Sequence, residues 1–289
     1  MPSNKYLTVS IVIPVYNDAE RLAACLQSIA QLNSPPEEVI VVDNNSSDDS
    51  VAVALSFPGV KVAHEDRQGV VYARDAGFDQ AQNDLIARID ADTVLPPDWL
   101  DKVKRLFAER PDISAVSGSV DYYDFAFRDI ANFLDKYSRR YLAWSLERVM
   151  FLFGANMAMR RSAWLDVRDC LCYYKGMHED LDLGIHLQEF GHKIIYDPSL
   201  VAGLSARRLN SGSADFMRYT LVSPRTYALH KLSQRRYMYV VILMVWSLYL
   251  PARLAQRSFD PRLKRMSLRL LFFNKLQSRI DPTANVADL

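Results

Sequence analysis

Four short apolar runs in the first hundred residues, separated by three helix-like stretches, constrain the fold more than any other feature. Val9-Ser10-Ile11-Val12-Ile13-Pro14 and Val39-Ile40-Val41-Val42 are almost continuously apolar, the pattern of strands covered on both faces. Val60-Lys61-Val62 and Leu85-Ile86-Ala87-Arg88-Ile89 continue the series. After the first run, Asn17 or Asp18 can cap a helix whose apolar positions Leu22, Cys25, Leu26, Ile29 and Leu32 recur at three and four, and Pro35-Pro36 stops it. A weaker helix follows the second run, and another is expected from about Val70 to Ala81. This alternation implies parallel strands joined by right-handed crossovers, an α/β fold with a Rossmann-like, mostly parallel sheet flanked by helices.

Open α/β sheets bind ligands beyond the carboxyl ends of their strands, and those ends carry polar residues here. Pro14, Tyr16 and Asn17 leave the first strand. Asp43 and Ser46 leave the second, Arg67 and Arg74 follow the third, and Asp90-Ala91-Asp92 leaves the fourth. Two aspartates on one turn repel each other in a protein-only site, but suit a hard divalent cation holding phosphates. Asp43 can accept from a nucleobase N–H, Asp90 can bond a ribose hydroxyl, Asp92 can reach a metal on a diphosphate, and Arg67 or Arg74 can steady phosphate charge. Singly, each has a plainer explanation: Tyr16 packing, Asp43 and Ser46 capping the next helix, Arg74 paired with a carboxylate. Their recurrence at successive strand ends favours the joint reading.

The 289 residues, 49% hydrophobic, suffice for one large domain or one and a half. Met1-Pro2-Ser3-Asn4-Lys5 runs into the first strand without the apolar core of a signal peptide, which favours a cytoplasmic setting. Cys25 falls on an apolar helical face, and Cys170-x-Cys172 lacks a second cysteine pair to complete a zinc site, so the thiols read as reduced and structural. The formal charge of +1 hides a split. Residues 1–200 hold 20 Lys+Arg against 30 Asp+Glu, and residues 201–289 hold 15 against 4. A catalytic body with a basic tail piece, suited to an anionic surface rather than to nucleic acid, is the expected organisation.

Taken together, these motifs resemble family 2 glycosyltransferases with the GT-A fold, the inverting nucleotide-sugar transferases. The resemblance rests on Val12-Ile13-Pro14-Val15-Tyr16-Asn17, Val41-Val42-Asp43-Asn44-Asn45-Ser46-Ser47-Asp48, Ala73-Arg74-Asp75-Ala76-Gly77, Asp90-Ala91-Asp92, Gly154-Ala155-Asn156-Met157-Ala158-Met159-Arg160-Arg161 and Glu179-Asp180-Leu181-Asp182-Leu183, and covers roughly residues 8–200. Asp75 stands where the family often has Asn. The resemblance implies that Asp43 contacts the base, Asp90 and Asp92 the ribose and a divalent cation (Mn2+ or Mg2+), and that Asp180 is the catalytic base. It also implies a nucleotide-sugar donor, UDP foremost, and a saccharide or lipid-linked acceptor, as in building a cell-envelope polysaccharide. The expected domains are a GT-A catalytic domain over residues 1–210, with its nucleotide-sugar half at about 1–97 and its acceptor half at about 98–210, and a basic helical extension over 211–289.

Inversion at a sugar carbon needs one carboxylate to take the acceptor's proton, while a divalent cation can replace a general acid at the leaving diphosphate. Glu179 and Asp180, at the start of an amphipathic helix, fit this economy, with Asp180 as base and Glu179 as helper; favourable helix-dipole placement is the plainer explanation of both. His178 and His192 are left out of the metal site. Gly154, Ala155 and Asn156 are expected to wall the acceptor site, with the Asn156 amide available to hydroxyls. Trp99 and Trp164 read as helix packing, and Arg207-Arg208 as a solvated basic turn rather than a clamp on the diphosphate. A sugar-nucleotide pyrophosphorylase would carry a Gly-rich loop where Pro14-Val15-Tyr16-Asn17 stands, and an inactive binding protein would not need Asp90, Asp92 and Asp180 intact. The processive members' Gln-x-x-Arg-Trp element is missing; Gln234-Arg235-Arg236-Tyr237 is the nearest string.

The C-terminal third differs. Tyr237 to Leu250 is a 14-residue run with one polar member, ended by Pro251 and flanked by Arg235, Arg236 and Arg253. It is short of the roughly 20 residues a spanning helix needs. Arg262 to Lys275 then reads as a basic amphipathic segment able to lie among anionic headgroups. The expectation is peripheral attachment at the inner face of the cell membrane, through shallow insertion; packing on the body or a dimer interface is the alternative.

Overall fold

A computed structural model describes residues 7–145, 151–233, 235–260, 265–267 and 270. The four apolar runs are β1 (Val9–Val15), β2 (Glu38–Asp43), β3 (Val60–His64) and β4 (Leu85–Arg88), linked by α1 (Ala19–Ala30), α2 (Ser50–Leu55) and α3 (Val70–Gln80). They pair in parallel: β1 lies between β2 and β4, and β3 flanks β2. Next come α4 (Trp99–Glu109), β5 (Ala115–Tyr122), α5 (Arg128–Ser145), β6 (Met157–Arg160), α6 (Arg161–Val167), α7 (Glu179–Glu189) and β7 (Ile194–Leu204). One seven-stranded sheet results, in the order β3-β2-β1-β4-β6-β5-β7. Only β6 runs against its neighbours in that sheet, while β5 and β7 pair in parallel. The mostly parallel, helix-flanked sheet is the expected fold class.

The unbroken apolar character of β1 has a direct cause: the sheet buries both faces. Val9, Ile11, Ile13 and Val15 pack with Leu22, Leu26 and Trp99 on the α1–α4 side. Val12 joins Phe78, Trp164, Leu183 and Leu187 on the side of α3, α6 and α7. Each such side chain, fully withdrawn from water, stabilises the fold by about 1.5–3 kcal/mol. Register then sets the crevice. Val15 lies beside Asp43, Asp43 beside His64, and Val12 beside Arg88, so the carboxyl ends of the parallel strands open onto one edge.

Beyond the sheet lie α8 (Ser213–Thr220), α9 (Val222–Leu229) and α10 (Arg235–Ser258). The sequence reading ends the last apolar run at Pro251; α10 instead passes through it. Proline removes one backbone donor from a helix interior. Contacts on both sides hold the helix together there: Tyr249 Oη donates to the Ser211 carbonyl at 2.9 Å, Arg253 Nη1 to Ser213 Oγ at 2.9 Å, and Gln256 Nε2 to the Asp124 carbonyl at 3.2 Å. Of the basic amphipathic segment, Arg265–Met266 (β9) pairs antiparallel with Phe259–Asp260 (β8) rather than forming a helix. Arg262, Lys264, Arg269 and Lys275 lie outside the described residues.

Candidate active site

At one end of the crevice the loops after β1, β2 and β3 hold each other. Asp43 is buried and accepts from the Ser46 N–H at 3.2 Å, while its Oδ2 meets His64 Nδ1 at 3.0 Å. Asn17, with φ of 49°, turns its backbone N–H to Ser46 Oγ at 3.0 Å and its side-chain oxygen to the Ser47 N–H at 2.7 Å. Asn44, also buried, donates to the carbonyls of Glu65 and Arg67 at 2.8 and 2.7 Å and accepts from the Gly69 N–H at 2.7 Å. Gly69 sits at φ 147°, a conformation side chains resist, and starts α3 there. Pro14, Tyr16 and Ser46 are half-buried beside this network. Arg67 is exposed, paired with Glu65 and stacked over Tyr72.

The other end is built on buried charge. Arg88, at the last position of β4, reaches Asp90 Oδ1 with Nη2 at 3.3 Å and Glu179 Oε1 with Nη1 at 2.9 Å. Burial works to lower its pKa, but the carboxylates of Glu179, Asp90 and Asp180 outweigh it and raise the value above the ordinary one. A Cβ on Gly154 would lie 2.1 Å from Arg88 Nη1, so any side chain there would displace the guanidinium. The Gly154 N–H donates to Asp180 Oδ2 at 3.0 Å, and the Leu181 N–H holds Oδ1 at 2.9 Å. Asp180 is half-buried in the first turn of α7; Glu179 beside it is buried.

Asp92 is buried, and Arg207 Nε donates to its Oδ2 at 2.9 Å; the same guanidinium also pairs with Asp18. Thus Arg207 is not a solvated turn residue but a bridge between two crevice carboxylates. Cys25 lies beneath them: burial first, then the charges of Asp92, Asp90 and Asp18, push its thiol far above its usual value. Ala91 is buried in the turn between Asp90 and Asp92, and Thr93 Oγ1 donates to the Ala155 carbonyl at 3.2 Å.

Two expected residues sit elsewhere than expected. Arg74 is wholly buried, donating to the Glu179 carbonyl and, at 2.7 Å, to Asp75, which also accepts from Tyr173 Oη at 2.9 Å. It therefore positions the head of α7 instead of facing a phosphate. Asn156 is also fully buried, its amide donating to the carbonyls of Ser119 and Leu200 and accepting from Trp99 Nε1 at 3.0 Å. That amide serves the core between β5 and β7, not an acceptor hydroxyl. Sequence reasoning gives no site role to Arg88, His64 or Asn44, and sets Arg207 aside as a solvated turn. For Arg88 the signal was a lone charge inside an apolar strand.

Sheet order, the reversed β6 and carboxylates at the strand ends define the class: a GT-A glycosyltransferase fold. The mannosyltransferase PcManGT from Pyrobaculum calidifontis, in complex with GDP-Man and Mn2+, superposes with a TM-score of 0.65 over 93% of this chain and 78% of its own, at 19% identity. Glucosyl-3-phosphoglycerate synthase from Mycobacterium tuberculosis, in complex with Mn2+, UDP-Glc and phosphoglyceric acid, does so at 0.53 over 78% of this chain and 80% of its own, at 17% identity. Identities this low carry the fold alone. Residues 10–167 match the model of glycosyl transferase family 2, and the chain belongs to that family. The glucosyl-dolichyl phosphate glucuronosyltransferase of Haloferax volcanii is 28% identical over 173 residues, 56% of this chain and 55% of that relative. The chain spans about half the length of the curated relatives it matches.

Proposed function

We propose that this chain moves a sugar from a nucleotide donor, UDP-linked foremost, to a hydroxyl of a saccharide or lipid-linked acceptor, with inversion at the sugar carbon. The observation that carries this reading is Arg88. One buried guanidinium spans from Asp90, on the turn that would meet the donor, to Glu179, beside the base on α7. Donor turn and base helix are thereby held in one fixed relation, as a single displacement requires.

In this reading Asp43 accepts from the nucleobase and Asp90 from a ribose hydroxyl. An all-oxygen set suits a hard divalent cation: Asp18, Asp90 and Asp92 all bear on the buried Cys25 thiol, and Arg207 is bonded to two of them. Asp92, with Asp90 beside it, would hold that ion, which the two named structures contain as Mn2+ and which Mg2+ would also suit. When bound, it would stabilise the charge of the leaving diphosphate. Asp180 takes the acceptor's hydroxyl proton. The acceptor oxygen then attacks the anomeric carbon from the face opposite the diphosphate, and the bond to the diphosphate breaks, its electron pair leaving with the nucleotide. The Gly154 N–H fixes Asp180 Oδ2, and Arg74 holds the helix head through the Glu179 carbonyl. A thermal-shift panel of nucleotide sugars tests the reading. A UDP-sugar should raise the melting temperature, more with Mn2+ than with chelator. No response to any nucleotide sugar would overturn it, and full transfer in excess chelator would remove the cation's part.

The reading of acceptor and location draws its support from α10. Among the described residues it is the one helix long and apolar enough to cross a membrane, with a mean hydropathy of 1.6 in its most apolar window. Its 24 residues would reach about 36 Å. Yet Trp246, Tyr249, Arg253 and Gln256 form a stripe bonded to the rest of the chain, which a crossing helix could not keep. Val240, Leu243, Leu250 and Leu254 stay exposed, and Leu254 shares a groove with Phe127, from which exposed Ile130, Phe133 and Tyr137 continue along α5. This supports a helix lying in the inner-face headgroup layer of an anionic membrane, beside a lipid-linked acceptor. Co-sedimentation with anionic vesicles, only partly reversed by salt, is expected; a Leu243→Glu/Leu250→Glu variant that sediments unchanged would refute it.

A further inference from the structure

The helix that carries Asp180 presents a second group of donors on its other side. Two residues along an α-helix turn the direction by about 200°, so Asp182 points away from the crevice that Asp180 faces. Around Asp182 gather Cys172, from the segment before α7, His186, one turn further along α7, and His230, which caps α9. Their donor atoms all lie within 4.8 Å of one another. Sequence reasoning dismissed Cys172 for want of a second cysteine pair. The fold supplies two imidazoles and a carboxylate instead.

We propose that Cys172, Asp182, His186 and His230 form a structural zinc site that ties α9, and with it the C-terminal helices, to the helix bearing Asp180. The donor set is borderline-soft, as zinc prefers, and unlike the all-oxygen sets that suit magnesium or manganese. A thiolate and a carboxylate with two neutral imidazoles would also cancel the ion's charge, which burial demands. Spacing agrees. Tetrahedral bonds of about 2.0–2.3 Å put neighbouring ligands about 3.3–3.7 Å apart; Cys172 Sγ to His186 Nε2 is 3.7 Å and His186 Nε2 to Asp182 Oδ1 is 3.5 Å. The 2.7 Å between His230 Nε2 and Asp182 Oδ1 would open slightly around the ion.

The outer contacts are those of a prepared site. Ligating histidines generally donate their second ring nitrogen to a carboxylate, and His186 Nδ1 meets Glu189 Oε2 at 2.9 Å, which leaves Nε2 turned inward. The Cys172 backbone N–H holds Asp182 Oδ2 at 3.0 Å, so the carboxylate offers Oδ1 alone. A cluster serving only to hydrogen-bond would need neither a thiol at its fourth corner nor a fixed outer nitrogen. The His178 N–H adds a tie from the start of α7 to Thr226 Oγ1 of α9 at 3.0 Å, so the ion would clamp two elements already in register. This inference stands apart from the donor reading and survives its failure.

Elemental analysis of the purified full chain tests it. About one zinc per chain is expected, retained by Asp92→Ala and lost by the double variant Cys172→Ser/His230→Gln. Cobalt substitution should give a thiolate-to-cobalt charge-transfer band that Cys172→Ser abolishes. Should the double variant fail to fold, alkylation of the unaltered chain decides. Zinc should slow modification of Cys172 severalfold relative to chelator-treated protein, while exposed Cys170 reacts alike in both. Metal-free chain that takes up no Zn2+, zinc kept by the double variant, or Cys172 alkylated at one rate with and without zinc would each overturn the proposal.

Discussion

At the end of the crevice proposed to take the nucleotide, Asp43, Asn44 and Asn17 find partners 21 to 30 residues away, at the ends of adjacent strands or in the loops that follow them. At the end proposed for the chemistry, Arg74 reaches Glu179 across 105 residues and Arg207 reaches Asp92 across 115. The first end is a set of half-exposed loops bonded to their sequence neighbours. The second is a group of buried charges that exist as pairs only after the whole sheet has closed. Local bonds let the first end form wherever its strands pair. The second depends on the fold's longest-range contacts, and so is tied to global stability.

The largest contrast should come from Asp180→Asn against Asp43→Ala. The asparagine keeps the shape and, with its oxygen on the Gly154 N–H, one of the two backbone contacts, but it accepts no proton, so turnover should fall by about 10²–10⁴ with UDP affinity little changed. Asp43→Ala should do the converse, weakening nucleotide binding more than turnover at saturation. Steady-state kinetics beside calorimetric titration of UDP separate the two. Near wild-type turnover in Asp180→Asn would dissolve the division between a binding end and a reacting end.

The next effect is on stability. Arg88→Met leaves Asp90 and Glu179, both largely buried, without their shared cation. Removing one partner of a buried pair costs about 3–5 kcal/mol. Arg67→Met, at the other end, breaks the Glu65 pair of an arginine that is 63% exposed, and should cost about 1 kcal/mol or less. Urea denaturation of both variants measures the difference. Equal losses would mean the two ends are not energetically distinct.

The same contrast decided what could be read from the sequence. Strand β1 was legible because a sheet buried on both faces leaves a continuous apolar run, and Asp43, Asp90 and Asp92 were legible because they close such runs. Arg88 reads as part of its strand, although a charge there needs a buried partner. Arg207 looked like a solvated turn because both its partners, Asp18 and Asp92, are more than a hundred residues distant. Asn156 reads as an acceptor residue from its place beside Gly154 and Ala155; side-chain direction, which sends its amide to the Ser119 and Leu200 carbonyls, is not encoded in spacing. Pro251 misled for a related reason, because the bonds that carry α10 through it come from Ser211, Ser213 and Asp124.

The smallest effect concerns His64, which the sequence reading did not include. Its side chain is 54% exposed, with Nδ1 on Asp43 Oδ2 at 3.0 Å and Nε2 on Asp66 at 3.2 Å. If Asp43 reads the nucleobase, His64 orients it by holding one oxygen and leaving the other to the Ser46 N–H and the ligand. A net hydrogen-bond contribution of about 0.5–1.5 kcal/mol implies that His64→Ala weakens UDP binding by about two- to tenfold. Turnover at saturating donor should stay unchanged, because Asp180 and Arg88 lie at the other end. Combining His64→Ala with Asp43→Ala should add little to Asp43→Ala alone, since the histidine acts through that carboxylate. Tighter UDP binding in His64→Ala would instead show that the histidine competes with the base for Asp43.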